Sequence, residues 1–187
     1  MKSFAPKPWV APQPVLIIGT FNEYGKANAM NAAWGGQWDM KEIMISMGKH
    51  QTTKNLTRDG EFTVAFATAD TMVASDYVGI ISAKNDPDKM EKTGWKSVKA
   101  EKVNAPVFTC FPMTLECRIK EKIDESAEGY YIIAEIVNIL CDEDFLNGQG
   151  NPDVEKMNII AYEPVNHKYI QMGKIIGDAF SCGKELK

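Results

Sequence analysis

Short runs of β-branched and aromatic residues separated by turn signals dominate the sequence, and they constrain the fold more than any other feature. Such runs predict β-strands, because these side chains suit a pleated, half-buried surface. The predicted strands are residues 15–20, a strand that begins near Ala27, and residues 42–47, 62–67, 108–111, 114–121, 130–141 and 165–171. A hairpin is expected around residues 124–129. Many short strands indicate an antiparallel barrel.

Helical patterns are confined to three short segments between the strands. The segments are residues 52–58, 70–78 and 86–92. Gly60 and Gly79 stand just after the first two, and Pro87 stands near the start of the third, as is usual for helix ends and helix starts. We therefore predict a mainly β protein in which short helices are appended to an antiparallel barrel.

Length and charge limit the functional classes. A chain of 187 residues is most simply one domain, which buries roughly 70% of its unfolded surface. The net charge of −4 gives no reason to expect nucleic acid as a partner. A local basic stretch is interrupted by acidic residues and is interpreted as a solvated surface. Its lysines are Lys84, Lys89, Lys92, Lys96 and Lys99.

The sequence lacks the patterns typical of secretion, membrane insertion and metal binding. The proline-broken start is unlike a signal peptide and no apolar run reaches the length of a membrane span, so we expect a cytoplasmic protein that does not bind membranes. The four cysteines lack Cys-x-x-Cys spacing and are expected to be free thiols. Only two histidines are present, and no cluster has metal-ligand spacing. Rossmann and P-loop signatures are also missing.

A polar cluster lies between residues 28 and 55. It contains the sequence Asn-Ala-Met-Asn-Ala-Ala-Trp at residues 28–34, then Ser46 and Met47, then His-Gln-Thr-Thr-Lys-Asn at residues 50–55. A helix entered through Thr52 or Thr53 would offer free backbone N–H groups to a phosphate, favoured by the helix dipole. The cluster therefore suits a flat, phosphorylated ligand.

Local alternatives apply to each of these residues. Thr52 or Thr53 could be an N-cap and nothing more. Asn28 and Asn31 are also typical of turns and strand edges, and Trp34 is also typical of a core. The order of strand, polar cluster, strand and capped helix within one short span favours the ligand site.

Several motifs follow one another along the chain in a specific order. They are residues 20–34, Ser46-Met47, His50-x-Thr-x-x-Asn55-Leu56, residues 60–64, residues 76–79, Tyr162-Glu163-Pro164 and residues 177–184. Together these motifs resemble the flavin reductase-like family, and the last two are similar to its flavoredoxin-type branch. The resemblance implies an FMN-binding split β-barrel of the antiparallel, Greek-key type, usually a homodimer with the flavin near the subunit interface. It implies one domain over residues 1–187, with an N-terminal arm at 1–13 and a segment at 145–187 that packs on the barrel or on the dimer partner.

The same resemblance implies a set of cofactor-binding residues. They are Asn28, Ala29, Met30, Asn31, Trp34, Ser46, Met47, His50, Thr52, Thr53, Asn55, Ser82, Ala83, Lys84 and Phe180. Residues 28–31 would lie beside the isoalloxazine, with Trp34 near the ring. Ser46 and Met47 would approach the ribityl chain. Thr52, Thr53 and Asn55 would hold the phosphate, and Lys84 would neutralise its charge. Many relatives have Gly where this chain has Ala83, which disfavours a tight backbone approach there.

No catalytic side chain is predicted, because FMN itself would accept a hydride and leave the protein to bind it and tune it. The expected function is an FMN-dependent oxidoreductase that takes electrons from NADH, NADPH or a redox protein. One alternative is an FMN electron carrier with no nicotinamide site. Another is a non-redox protein that keeps the barrel and binds a different ligand.

Overall fold

A computed structural model of the protein describes residues 1–124 and 129–186. The strands are β1 (Gln13–Pro14), β2 (Leu16–Phe21), β3 (Ala27–Ala32), β4 (Gly35–Asp39), β5 (Glu42–Gly48), β6 (Glu61–Phe66), β7 (Ser97–Lys99), β8 (Pro106–Phe108), β9 (Met113–Asp124), β10 (Gly129–Cys141), β11 (Ile160–Glu163) and β12 (Lys168–Gln171). The α-helices are α1 (Gln51–Asp59), α2 (Met72–Ile80) and α3 (Lys89–Thr93). Two 3-10 helices cover Glu143–Phe145 and Cys182–Leu186.

Seven strands form one antiparallel sheet in the order β3-β2-β6-β9-β10-β5-β4. The sheet curls on itself, because β3 at one edge also contacts β5 near the other edge. Side chains from six of these strands and from α1 meet in one buried apolar cluster, which includes Ile18, Ile45, Leu56, Phe62 and Ile132. This cluster is the interior of a barrel, and the predicted mainly β, antiparallel class is confirmed.

A second apolar cluster lies on the outside of the sheet. Ile17 of β2 and Val15, which directly precedes the strand, belong to it, while Leu16 and Ile18 of β2 face the barrel, as the two-residue period of a strand requires. Helix α2 supplies Val78, and the loop after β8 supplies Phe111. Helix α2 also contacts β3 directly. It therefore lies beside the edge strand that carries the polar residues.

Strands β1, β11 and β12 form a separate three-stranded antiparallel sheet. Ile160 and Ala161 of β11 are buried, and Ile160 belongs to the outer cluster. The chain beyond β12, from residue 172 to 186, is exposed along its length. No helix in the described ranges is long and apolar enough to span a membrane.

Most predicted elements are confirmed, with several corrections, and the short strands β1, β7 and β11 were not predicted. Residues 109–111 are turn and not strand, because β8 ends at Phe108. Gly79 lies inside α2, and α3 begins at Lys89 and not at 86. Strand β4 was missed because its sequence, Gly-Gly-Gln-Trp-Asp, lacks a β-branched residue. The long hairpin is confirmed by the pairing of β9 with β10, but its tip at residues 125–128 lies outside the described residues.

Candidate functional site

Helix α1 begins at Gln51 with His50 as its N-cap residue. The expected entry through Thr52 or Thr53 is therefore wrong by two or three residues. Thr53 supports the start of the helix from its third position: its hydroxyl donates to Gly48 O at 2.6 Å and accepts from His50 N at 3.4 Å. This pairing ties the first turn to the end of β5.

The start of α1 leaves backbone donors outside the helical ladder. The first intrahelical backbone hydrogen bond runs from Lys54 N to His50 O at 3.1 Å. The N–H groups of Gln51 and Thr52 therefore lie outside the helical ladder, where the positive end of the dipole also lies, while that of Thr53 takes part in a capping box with His50. A helix of nine residues presents these donors as a site that favours an anion.

The polar side chains of α1 that face the barrel are already bonded within the protein. Thr52 Oγ1 accepts from Asn28 Nδ2 at 2.7 Å. Asn55 Nδ2 donates to Thr20 Oγ1 at 3.1 Å, and Asn55 Oδ1 accepts from Gln51 Nε2 at 2.9 Å. Because these groups are buried and paired, they hold α1 against the sheet, and the donors that the helix start offers to a ligand are backbone N–H groups.

Three clefts open around the start of α1. The large cleft, of about 540 Å³, is lined among others by Asn28, Gln51, Ala83, Met90 and Trp95. The basic cleft, of about 410 Å³, is lined among others by Lys49, His50, Lys54, Lys84 and Tyr130. The inner cleft, of about 180 Å³, is lined among others by Asn31, His50, Thr52, Ser82, Ala83 and Lys89. Gln51 lines all three clefts, so the helix start is where they meet.

The segment at residues 81–88 forms the wall opposite the helix start. Ser82 O accepts from Asn85 N at 2.9 Å and from Asp86 N at 3.0 Å, and Ser82 Oγ accepts from Lys84 N at 3.3 Å. These bonds fold the segment into a turn. The turn places Ala83 beside the large and inner clefts and Lys84 beside the basic cleft.

Lys89, which the sequence interpretation assigned to a solvated surface, is buried with only 2% of its surface exposed. Its ammonium donates to Val78 O at 3.2 Å and to Ile81 O at 2.8 Å, at the C-terminal end of α2. Burial lowers the pKa of Lys89 to about 8, against an opposing effect of nearby Asp86. A lysine among charged neighbours gave no sequence signal of burial.

Strand β3 supplies the third side of the site. Asn31 Nδ2 donates to Ser75 O of α2 at 3.1 Å, and Asn31 and Met30 line the inner cleft. The amide of Asn28 is buried, and its Oδ1 is without a hydrogen-bond partner among the described residues. Gly79 permits the close approach of α2, because a β-carbon there would lie 3.0 Å from Asn31 Cβ.

Other predicted residues lie outside the lining of these clefts. Ala29 and Met47 are buried in apolar clusters. Ser46 N donates to Trp34 O at 2.8 Å, and the Trp34 side chain is 55% exposed. Phe180 is fully exposed in the C-terminal segment. Their predicted contacts with a cofactor stay predictions.

Comparisons with known proteins identify a family and a set of similar structures. A model of the flavin reductase like domain matches residues 10–154. Among solved structures, the chain is similar to the flavoredoxin of Desulfovibrio vulgaris (Miyazaki F), at 31% identity and a TM-score of 0.92, covering 98% of this chain and 99% of that chain. It is also similar to a flavoredoxin from Methanosarcina acetivorans, at 25% identity and a TM-score of 0.89, with 100% of both chains covered.

More distant structures share the fold alone. The 2-nitrobenzoate 2-nitroreductase of Pseudomonas fluorescens matches at 18% identity with a TM-score of 0.78, covering 91% of this chain and 87% of that chain. A search of curated proteins finds no match. The fold implied by the sequence resemblance, a split β-barrel with short helices, is confirmed.

Proposed function

The chain belongs to the flavin reductase-like family, and from that membership we propose that it binds FMN and transfers electrons through it. Bound FMN supplies a ring that accepts a hydride, so the chain itself needs no acid or base side chain for that chemistry. The work of the protein is to hold the phosphate, position the ring and leave a route for the donor.

The start of α1 is the observation that carries this proposal. Three clefts meet there, and residues of the 81–88 turn line them together with the first residues of the helix. Two lysines stand on that side, Lys84 at the basic cleft and Lys89 at the inner cleft. A single phosphate dianion fits such a set of donors.

The ring end of FMN suits the wall formed by β3. Asn28 of β3 lines the large cleft, and its unpartnered Oδ1 is a buried acceptor there. Buried polar atoms are rarely left unpaired, so an unpaired acceptor at a cleft indicates a donor supplied by a ligand. The N–H and O–H groups of a flavin provide donors of that kind.

An FMN titration tests the proposal. We expect flavin fluorescence and absorbance to change with 1:1 stoichiometry, and we expect Lys84→Met together with Lys89→Met to weaken FMN more than riboflavin, which lacks the phosphate. A matched control is Lys99→Met, an exposed lysine on β7. Unchanged fluorescence and absorbance of FMN would remove the flavin assignment.

The proposed activity is oxidation of NADH or NADPH, with electrons passed to an acceptor. The large cleft adjoins the helix start through Gln51 and Ala83 and leaves room beside an FMN site. Anaerobic stopped-flow mixing of the FMN-loaded protein with NADH or NADPH tests this: rapid bleaching of the flavin absorbance is expected.

A carrier without a nicotinamide site is the second candidate. The specific observation in its favour is the end-to-end similarity to two flavoredoxins. In that case NADH and NADPH would leave the flavin oxidised, whereas a reduced redox protein would bleach it. The same stopped-flow experiment therefore separates the two candidates.

We further propose a cytoplasmic homodimer. Trp34, Trp38 and Met40 leave much of their side chains exposed on and beside β4, an edge strand that a second copy would cover. All four cysteines are free thiols, which suits a reducing compartment. Light scattering should report a particle of twice 20.8 kDa, and a particle of 20.8 kDa would remove the dimer.

A further inference from the structure

Two lysines near the proposed FMN site, Lys84 and Lys89, are candidates for the positive charge beside the phosphate. Resting on that proposed function, we propose that Lys89 supplies the main positive charge to the phosphate of FMN, in place of Lys84, to which the sequence resemblance gave that role.

The first argument is the incomplete bonding of a buried charge. An ammonium carries three N–H donors, and Lys89 uses two of them on the carbonyls of Val78 and Ile81. Within residues 1–124 and 129–186, no carboxylate forms an ion pair with Lys89. A buried cation without an anionic partner is costly, and an anion in the adjoining space would offset that cost.

The second argument is position. Lys89 lines the inner cleft together with Thr52, at the start of α1, and with Ser82 of the facing turn. The cleft volume of about 180 Å³ leaves space for a phosphate group between these elements. Lys89 and the first residues of α1 thus line one small cavity.

The negative charge of Asp86 acts on Lys89 without forming an ion pair with it. Asp86, on the segment before α3, is bonded to Tyr77 of α2 at 3.1 Å and to Lys92 of α3 at 2.5 Å. His50 lines the inner cleft from α1. Glu91 on α3 lines the large cleft.

Lys84 is less suited to the role. Its side chain is exposed at the rim of the basic cleft, where water screens its charge and a mobile side chain must be ordered to make a contact. A buried charge at fixed geometry is screened less. We therefore expect Lys84 to add little to FMN affinity and Lys89 to add most of the cationic contribution.

Because Lys89 is buried, FMN binding should be coupled to the uptake of a proton by its side chain. With a pKa of about 8, only about one Lys89 in ten carries its proton at pH 9. A phosphate dianion beside it raises the pKa toward the ordinary lysine value of 10.5. Binding of FMN at pH 9 should then take up about 0.9 proton, and FMN affinity should fall about tenfold per pH unit above pH 8.

Calorimetry measures this uptake directly. FMN is titrated into the wild-type protein at pH 9 in two buffers of different ionisation enthalpy, and the difference in heat gives the protons taken up. Riboflavin is the matched ligand, because it shares the ionisation of the ring and lacks the phosphate. We expect uptake near 0.9 for FMN and near zero for riboflavin.

Two variants complete the test. Lys89→Met should abolish the uptake and weaken FMN about tenfold or more relative to riboflavin, whereas Lys84→Met should keep the uptake and change the ratio about twofold or less. Tight FMN binding with no uptake in the wild type would overturn the role of Lys89 and leave the proposed function standing. Failure of FMN to bind at any pH would overturn both.

Discussion

Two buried charges, Glu116 on the barrel and Lys89 beside the helix start, are both bonded to backbone groups, but they lie in different surroundings. Glu116 on β9 has no exposed surface; its Oε1 accepts from Glu101 N and its Oε2 from Lys102 N, each at 2.8 Å. Both oxygens are occupied by a loop that returns over the sheet. None of the clefts around the start of α1 is lined by Glu116.

Lys89 is almost as deeply buried as Glu116, but its hydrogen bonding is incomplete. Its two carbonyl partners leave one N–H donor, and the side chain lines a cavity. The comparison indicates that burial alone does not mark a functional charge. Glu116 has both oxygens bonded and positions a loop, while Lys89 retains a donor at a cavity and is available to a ligand.

The largest expected effect is a loss of stability when the buried carboxylate of Glu116 is removed. Glu116→Ala leaves two backbone N–H groups without their acceptor, and the free energy of unfolding should fall by about 3 kcal/mol. The affinity for FMN should stay within about twofold, since the loop is not part of the site. Urea unfolding and an FMN titration measure the two quantities. The control is Glu121→Ala, an exposed position on the same strand.

The next effect is the contribution of Lys89 to the pH dependence of the free energy of unfolding. Its pKa in the folded protein lies below its unfolded value, so between about pH 8 and 10.5 the unfolded chain binds more protons and stability rises with pH. From pH 8 to 10 this group should add about 2 kcal/mol to the free energy of unfolding without FMN. Lys89→Met should lack that rise, and equal pH profiles for both proteins would contradict the burial of an uncompensated charge.

A smaller effect tests the wall of the inner cleft. Gly79→Ala places a β-carbon 3.0 Å from Asn31 Cβ, so Asn31 must move by a few tenths of an ångström, and because the helix propensity of Ala offsets that cost, the unfolding free energy should change by about 1 kcal/mol or less. FMN and riboflavin should both weaken, because the ring side of the site moves. Gly36→Ala is the control, since a β-carbon there meets nothing within 4 Å.

A comparably small effect concerns Thr53. Thr53→Ala removes the hydrogen bond to Gly48 O and should lower the unfolding free energy by about 1 kcal/mol. Because the hydroxyl is already bonded, FMN and riboflavin should lose affinity equally. A loss confined to FMN would show that the hydroxyl contacts the phosphate directly.

The sequence predicted the strands well where β-branched residues alternate, as in β2, β6 and β10, because local preference and burial agree there. It failed at β4, where two glycines and polar residues form a strand only because β5 pairs with them. It also extended the strand at 108 into a turn. These are cases in which tertiary pairing overrides local preference.

The site was predicted in outline and not in its atomic roles. The cluster of β3, α1 and the 81–84 turn was identified, and these elements do surround common clefts. The side chains of Thr52 and Asn55, predicted to hold a phosphate, bond to Asn28 and Thr20, and their contact with a ligand stays a prediction. Lys89 was missed, because the burial of a lysine is decided by how α2 and α3 pack, which one sequence does not display.

The most direct test of the central claim is a side-by-side fluorescence titration of the wild-type protein with FMN and riboflavin at pH 7. If the start of α1 and Lys89 hold a phosphate, FMN should bind 1:1 and about a hundredfold more tightly than riboflavin. Equal affinities for the two flavins, or no binding of FMN, would contradict the account.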